Sequence, residues 1–251
     1  MAGVEDFPPE GRRDRMKQFA KRAVPVPLWV RTSDLPKRAA SAVVLVLAVG
    51  AAFWAGGRVL DLFFVAVGLV CFGEFARLVL RGTDSFLLRL CGLAFGSAYI
   101  GYAVYLLTAI DKVPLLVLLF GAVASVDTFA YFFGRTLGGP KIAPRISPSK
   151  TWAGLLGGVV GASVAFLVYA LVVGERSIDL LTLAAIVLFG SLVAVVAQAG
   201  DFFESWLKRK AGMKDSSNLI PGHGGVFDRI DGLIPVVILI GTLEVWSLAL
   251  S

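Results

Sequence analysis

Charge, histidine and cysteine are all scarce in this sequence. Only 17% of its 251 residues are charged, against about 25% in an ordinary soluble domain. That shortage excludes a separate soluble domain and leaves one membrane-embedded unit. There is one histidine, His223, and there are two cysteines, Cys71 and Cys91, each inside an apolar run with no second Cys or His at ligand spacing. A Cys/His zinc site is therefore excluded, and both cysteines are expected to be small core residues. The polar–apolar alternation of a membrane β-barrel strand is absent. So is the G-x-x-x-x-G-K-[ST] spacing of a nucleotide-binding P-loop. No internal repeat of the kind found in many transporters is visible, and the charges cluster at one membrane face rather than at the midplane.

What remains is apolar. Hydrophobic residues make up 57% of the chain and the mean hydropathy is +0.80. Runs long enough to span a bilayer, roughly 20 residues each, fall near 39–57, 59–80, 87–107, 113–133, 152–174, 180–199 and 233–250. The expected fold is all-α, a polytopic membrane protein of about seven helices, because a helix bonds its own backbone in lipid. The turn at Gly56-Gly57-Arg58 is tight and nearly merges the first two runs.

Residues 1–38 form a separate basic tail, with nine Lys or Arg and five prolines, ahead of the membrane domain at 39–251. The apolar run starts too late for a signal peptide. The tail reads either as a segment lying on anionic membrane lipids or as a solubilising, orienting arm. With the tail in the cytosol and seven spans, only Arg58, Lys112 and Arg176 of the 24 basic residues fall outside. This asymmetry follows the positive-inside rule and puts the polar loops 134–151 and 200–232 on one cytosolic face. The basic residues follow topology and form no patch with aromatics, so nucleic-acid binding is not expected.

The first loop, GRTLGGPKIAPRISPSKTWAG, sets Ser147, Ser149, Lys150 and Thr151 just before a helix. Free N–H groups there favour an anion, although a helix cap with ordinary positive-inside charge explains the pattern equally. Gly154, Gly157, Gly158 and Gly161 follow at the spacing of a close helix-packing face. Asp127 lies about six residues inside its span, roughly 9 Å deep, so it is expected to face a polar cavity. Glu74 sits at the cytosolic end of the second span, three residues before Arg77. A helix-surface ion pair explains it nearly as well as a cavity role does.

The second loop gathers the remaining carboxylates. If the sixth helix continues beyond the membrane, Asp201, Ser205 and Lys208 share one face. Asp228 and Asp231, at i and i+3, are expected to begin the last helix, with Pro221-Gly222 and Gly224-Gly225 bending them back toward Asp201. Converging carboxylates without Cys or His suit Mg²⁺ or Mn²⁺. Basic residues beside them suggest a polyphosphate substrate and metal-assisted phosphoryl or nucleotidyl transfer.

Ser205-Trp-Leu-Lys208-Arg209, Lys214-Asp215 and Ile220-Pro-Gly-His223-Gly224-Gly225-Val-Phe-Asp228-Arg229-Ile-Asp231 together resemble the signature of the phosphatidate cytidylyltransferases, or CDP-diacylglycerol synthases. DTFAYFFGR and ISPSKTWAG resemble that family's upstream segments in the same order, and the similarity runs from about residue 37 to the C-terminus. Ala153 stands where many relatives carry Glu, and Gly139 where many carry a basic residue. The resemblance implies transfer of cytidylate from CTP to phosphatidate, with pyrophosphate leaving. It puts metal positions on Asp201 and Asp228 with Asp231 close by, one cation or two being left open. It implies phosphate contacts at Lys208, Arg209, Lys214 and Lys150, and substrate contacts across Ser147, Ser205, Asp215, Gly224, Gly225 and Arg229. His223 is read as a general base, a phosphate contact or a hinge. A homodimer in a bacterial inner membrane, with its site on the cytosolic face, is also implied. The rival readings are a lipid kinase, a cytidylyltransferase for another lipid, and a transporter or channel.

Overall fold

The computed structural model describes residues 35–173 and 178–250. The basic tail therefore lies outside the described residues, apart from positions 35–38 at the start of the first helix. Helices α1 (Leu35–Ala55), α2 (Gly57–Gly82), α3 (Phe86–Ala109) and α4 (Val113–Thr136) come first. A short hairpin follows, β1 (Lys141–Ala143) and β2 (Ser147–Thr151), then α5 (Trp152–Val173) and α6 (Leu180–Lys210). A single helical turn, α7 (Phe227–Ile230), precedes α8 (Leu233–Leu250). Each of the seven expected spans coincides with one of these helices. Five of them, α2 to α6, are long and apolar enough to cross a membrane, while α1 and α8 carry the shorter apolar stretches Ala39–Ala55 and Leu233–Ser247.

Local chemistry explains the boundaries. Gly56 and Gly57 take φ of 60° and 48°, a left-handed pair that turns α1 into α2 without a side-chain penalty. Ser85 caps α3 by accepting the Leu88 N–H, and Asp179 caps α6 by accepting the Thr182 N–H at 2.8 Å. Thr151, the last residue of the hairpin, caps α5, its Oγ1 accepting the Gly154 N–H at 3.0 Å. The antiparallel hairpin itself, with Lys141 opposite Thr151 and Ala143 opposite Ser147, was not expected from the sequence.

The buried core runs through the middle of the bundle. Phe75 and Leu78 of α2, Leu106 of α3, Leu119 and Val126 of α4, Val193 of α6, and Val236 and Val237 of α8 are essentially inaccessible. Large apolar side chains such as Leu62, Val117, Leu188 and Trp246 cover the outside instead. That is the distribution expected where the surroundings are lipid tails and hydrophobic burial alone does not draw helices together. Close packing does so here. A Cβ on Gly157 would come within 2.5 Å of the Phe129 carbonyl oxygen, so the backbones of α4 and α5 touch where the small-residue spacing placed them.

Two expectations are corrected. Cys71 is a core residue, but Cys91 is exposed, on the outward side of α3. Asp228 and Asp231 do not begin the last helix: Asp228 sits in α7, and Asp231 and Gly232 form the break before α8. The expected extension of the sixth helix is present. At 31 residues α6 is about 46 Å long, well beyond an apolar core of about 30 Å.

The glycine face gives a directional test. Gly157→Ala should lower the thermal unfolding midpoint in detergent, by the equivalent of about 1–3 kcal/mol for overpacking. Gly121→Ala, where an added Cβ meets nothing within 4 Å, should leave it unchanged or raise it, since Ala is the better helix former.

Candidate active site

The loop after α6 folds back on itself before α7. The Ile220 N–H donates to the Gly224 carbonyl at 2.8 Å, and Gly222 and Gly224 take φ of 76° and 82°. This return brings Asp228 onto α6 and its own loop. Lys208 Nζ lies 2.7 Å from Asp228 Oδ1 and 2.5 Å from Glu204 Oε2. Asp228 Oδ2 accepts the Ser216 N–H at 2.9 Å, the Gly225 N–H at 2.8 Å and contacts Ser216 Oγ at 2.7 Å. Burial pushes the Asp228 carboxyl up, but hydrogen bonds with Glu204, Lys208, Ser216 and Gly225 outweigh it and hold the group well below the usual carboxylate range.

Glu74 supports this loop from below. Its Oε1 accepts from Ser217 Oγ at 2.5 Å and from the Val226 N–H at 3.1 Å. Its Oε2 accepts the Phe227 N–H at 2.7 Å and lies 3.0 Å from Ser216 Oγ. Glu74 is 7% exposed and forms none of the ion pairs among the described residues. The helix-surface pair with Arg77 is thus replaced by a tie between α2 and the N-terminal turn of α7. Ser216, fully buried, touches both Glu74 and Asp228 and couples the two carboxylates.

A second group lies beside the first. Lys150, at the end of the hairpin, forms an ion pair with Asp201 Oδ2 on α6. Asp231 shares a side-chain hydrogen bond with Asp201, and its Oδ1 accepts the Gly232 N–H at 3.0 Å. Gly200 makes the approach feasible, since a Cβ there would collide with the Asp231 carbonyl. Burial, then the charges of Asp201 and Glu204, raise the Asp231 carboxyl well above its ordinary value. Burial opposes the charge on Lys150, yet Asp201 outweighs it and keeps the ammonium protonated.

Two cavities meet at Asp127, which lines both. One, of about 440 Å³, is polar and bordered by Arg135, Lys141, Ser149, Lys150 and Gln198. The other, of about 430 Å³, is bordered by apolar residues such as Phe64, Val67, Ile100 and Val237, with Arg229 as a second charged residue. The polar lining includes Ser149 and not Ser147, which pairs with Ala143 in the hairpin. Ser205 is half-buried on α6, whereas Arg209, Lys214 and Asp215 are exposed around the loop. His223 is tied down: its Nδ1 lies 2.8 Å from Ser41 Oγ of α1, and its carbonyl accepts Arg229 Nε at 3.0 Å.

Residues 84–245, well over half of the chain, match the cytidylyltransferase family. A phosphatidate cytidylyltransferase of Brucella abortus biovar 1 (strain 9-941) is 35% identical over 83% of this chain and 92% of its own length. One of Rickettsia bellii (strain RML369-C) is 36% identical over 84% of this chain and 92% of its own length. A third, of Rickettsia felis (strain ATCC VR-1525 / URRWXCal2), is 42% identical over 51% of this chain and 59% of its own length. This chain belongs to the cytidylyltransferase family.

For a cytidylyltransferase the two side-chain groups differ in what they could hold. Among the described residues no three His, Cys, Asp or Glu are gathered around one point as metal ligands. Two carboxylate pairs lie together, Asp201 with Asp231 and Glu204 with Asp228, each beside a lysine. Asp228 has both oxygens engaged by Lys208, Ser216 and Gly225. Glu204, Ser216 and Gln198 were missed in the sequence, whereas Glu74 was noted there with a surface ion pair as the alternative. A carboxylate inside a membrane helix was the available signal for Glu74; for the other three only the folded contacts mark them.

The tie through Glu74 is testable apart from activity. Glu74→Gln replaces one accepting oxygen by an NH₂ donor that faces N–H or O–H donors, and a buried donor left unpaired costs about 1–3 kcal/mol. Hydrogen exchange in residues 215–228 should accelerate and the unfolding midpoint should fall. Arg77→Ala should change neither. Equal effects from both substitutions would restore the surface ion pair.

Proposed function

We propose that this cytidylyltransferase joins CTP and phosphatidate to give CDP-diacylglycerol and pyrophosphate. The observation that carries this reading is the meeting of a polar and an apolar cavity at Asp127. A nucleoside triphosphate suits the basic walls of the first, and diacylglycerol chains suit the second. The family match and the names of the relatives support the same substrates.

In this reading Lys150 and the neighbouring Lys141 and Arg135 hold phosphate oxygens. Arg229, bordering the apolar cavity, receives the lipid phosphate. That phosphate is already ionised at neutral pH and attacks the α-phosphorus of CTP without a general base, which leaves His223 its hinge role. Lys208, held between Glu204 and Asp228, supports the loop around the leaving pyrophosphate. Asp201 and Asp231 would hold the magnesium ion, which supplies charge neutralisation at the phosphates when bound. Asp228 joins them as a ligand only by releasing Lys208. Mn²⁺ fits the same oxygen donors. The site faces the cytosol of a bacterial inner membrane, and two chains form a homodimer.

With purified protein in detergent, labelled cytidine should enter the lipid phase only when CTP, phosphatidate and Mg²⁺ are all present. Asp201→Asn should lower that rate by orders of magnitude with little change in folded yield. Equal incorporation from ATP, or phosphorylation of diacylglycerol, would instead identify a kinase.

Sidedness follows from the charge of CTP, which bars it from crossing lipid unaided. In a background lacking Cys71 and Cys91, a cysteine at exposed Asn218 should react with an impermeant thiol reagent only in opened cells. One at exposed Asp111 should react in intact cells whose outer membrane has been permeabilised. The opposite labelling would invert the topology.

A further inference from the structure

Gln198 is 3% exposed, and neither its Oε1 nor its Nε2 has a hydrogen-bond partner. Buried amides are nearly always paired, because burial without a partner is unfavourable. This one borders the polar cavity, on α6 three residues before Asp201 and about 4.5 Å along the helix axis from it. Its Nε2 faces Gly158 of α5, where an added Cβ would sit 3.5 Å away. The side chain is thus held between two helices with its polar atoms unused.

The cavity lining carries the cations Arg135, Lys141 and Lys150, the Asp127 carboxylate and one neutral amide, Gln198. The cations attract phosphates. A group that pairs with the amide instead carries a donor and an acceptor side by side. The Watson–Crick edge of cytosine has that pattern, an exocyclic amine next to a ring nitrogen acceptor. An amide meets it with two hydrogen bonds, its oxygen accepting from the amine and its nitrogen donating to the ring.

We infer that the buried, unpartnered amide of Gln198 turns into the polar cavity it borders and there hydrogen-bonds the base of the nucleotide. The inference rests on the proposed use of CTP and deepens it, since it names the side chain that meets the base. Gln198 binds substrate on this account and has no structural duty in the empty protein.

The test compares Gln198→Met, similar in shape and without the amide, with wild type in detergent. Nucleotide-free Gln198→Met should unfold at the same temperature as wild type or higher, because an unsatisfied buried amide has been removed. Its dissociation constant for CTP should rise at least about tenfold, as expected for losing two hydrogen bonds. Its affinity for inorganic triphosphate, which has no base, should stay within about twofold. Weaker binding of both ligands would place the amide on the phosphates and overturn the inference. A lower unfolding temperature, or failure to fold, would make Gln198 a structural residue and overturn it too. Unchanged CTP affinity in the variant, beside measurable wild-type binding, overturns this inference alone. Absence of CTP binding to wild type overturns the proposed function as well.

Discussion

A carboxylate in an apolar bundle must be met by donors or cations, and that constraint organises one end of this helix bundle. Glu74 enters from α2 and collects contacts from Ser216, Ser217, Val226 and Phe227. Through Ser216 the same network reaches Asp228, and through Asp228 it reaches Lys208 and Glu204 on α6. Each contact lowers the cost of the next buried charge. The signature loop is therefore anchored by two carboxylates, one on α2 and the other its own. It forms a fixed wall against α6.

The second pair of acids, Asp201 and Asp231, depends on the first indirectly. The fold-back held by Glu74 sets where α7 begins, and the break at Asp231–Gly232 follows after its single turn. Gly200 lets the backbone of α6 approach that break. Lys150 then arrives from the hairpin, an element with no other charged contact to α6 among the described ion pairs. Three separate segments thus converge at Lys150, which borders the polar cavity, and that cavity meets the apolar one at Asp127. A reaction between a water-borne nucleotide and a lipid needs such a boundary, because each substrate is soluble on only one side of it.

Several features were legible in the residues alone. Long apolar runs have few ways to satisfy their backbone in lipid, so helices near the seven expected places followed. The small-residue spacing from Gly154 to Gly161 predicted a close helix contact, and Gly157 against Phe129 is that contact. The extension of α6 was legible because Asp201, Ser205 and Lys208 keep one face at helical spacing. The burial of Cys71 followed too, whereas Cys91, in an equally apolar run, faces outward. Periodicity is weak where both faces of a helix are apolar, so the sequence does not say which side meets lipid.

Pairing between distant residues lay beyond the sequence. Asp228 and Asp231 look like neighbours on one helix, yet one joins Lys208 and Ser216 while the other joins Asp201. A helix break decides that, and the break is set by packing. Glu74 and Ser216 lie 142 positions apart, and the unused amide of Gln198 is noticeable only once its neighbours are known. The order of apolar and charged segments along the chain determined the membrane class, the helix positions and the side on which charge collects, because those depend on local hydropathy and helix period. Which carboxylate meets which cation was decided only by the tertiary structure, because a charge in low dielectric takes its partner from whatever the fold brings within a few ångströms.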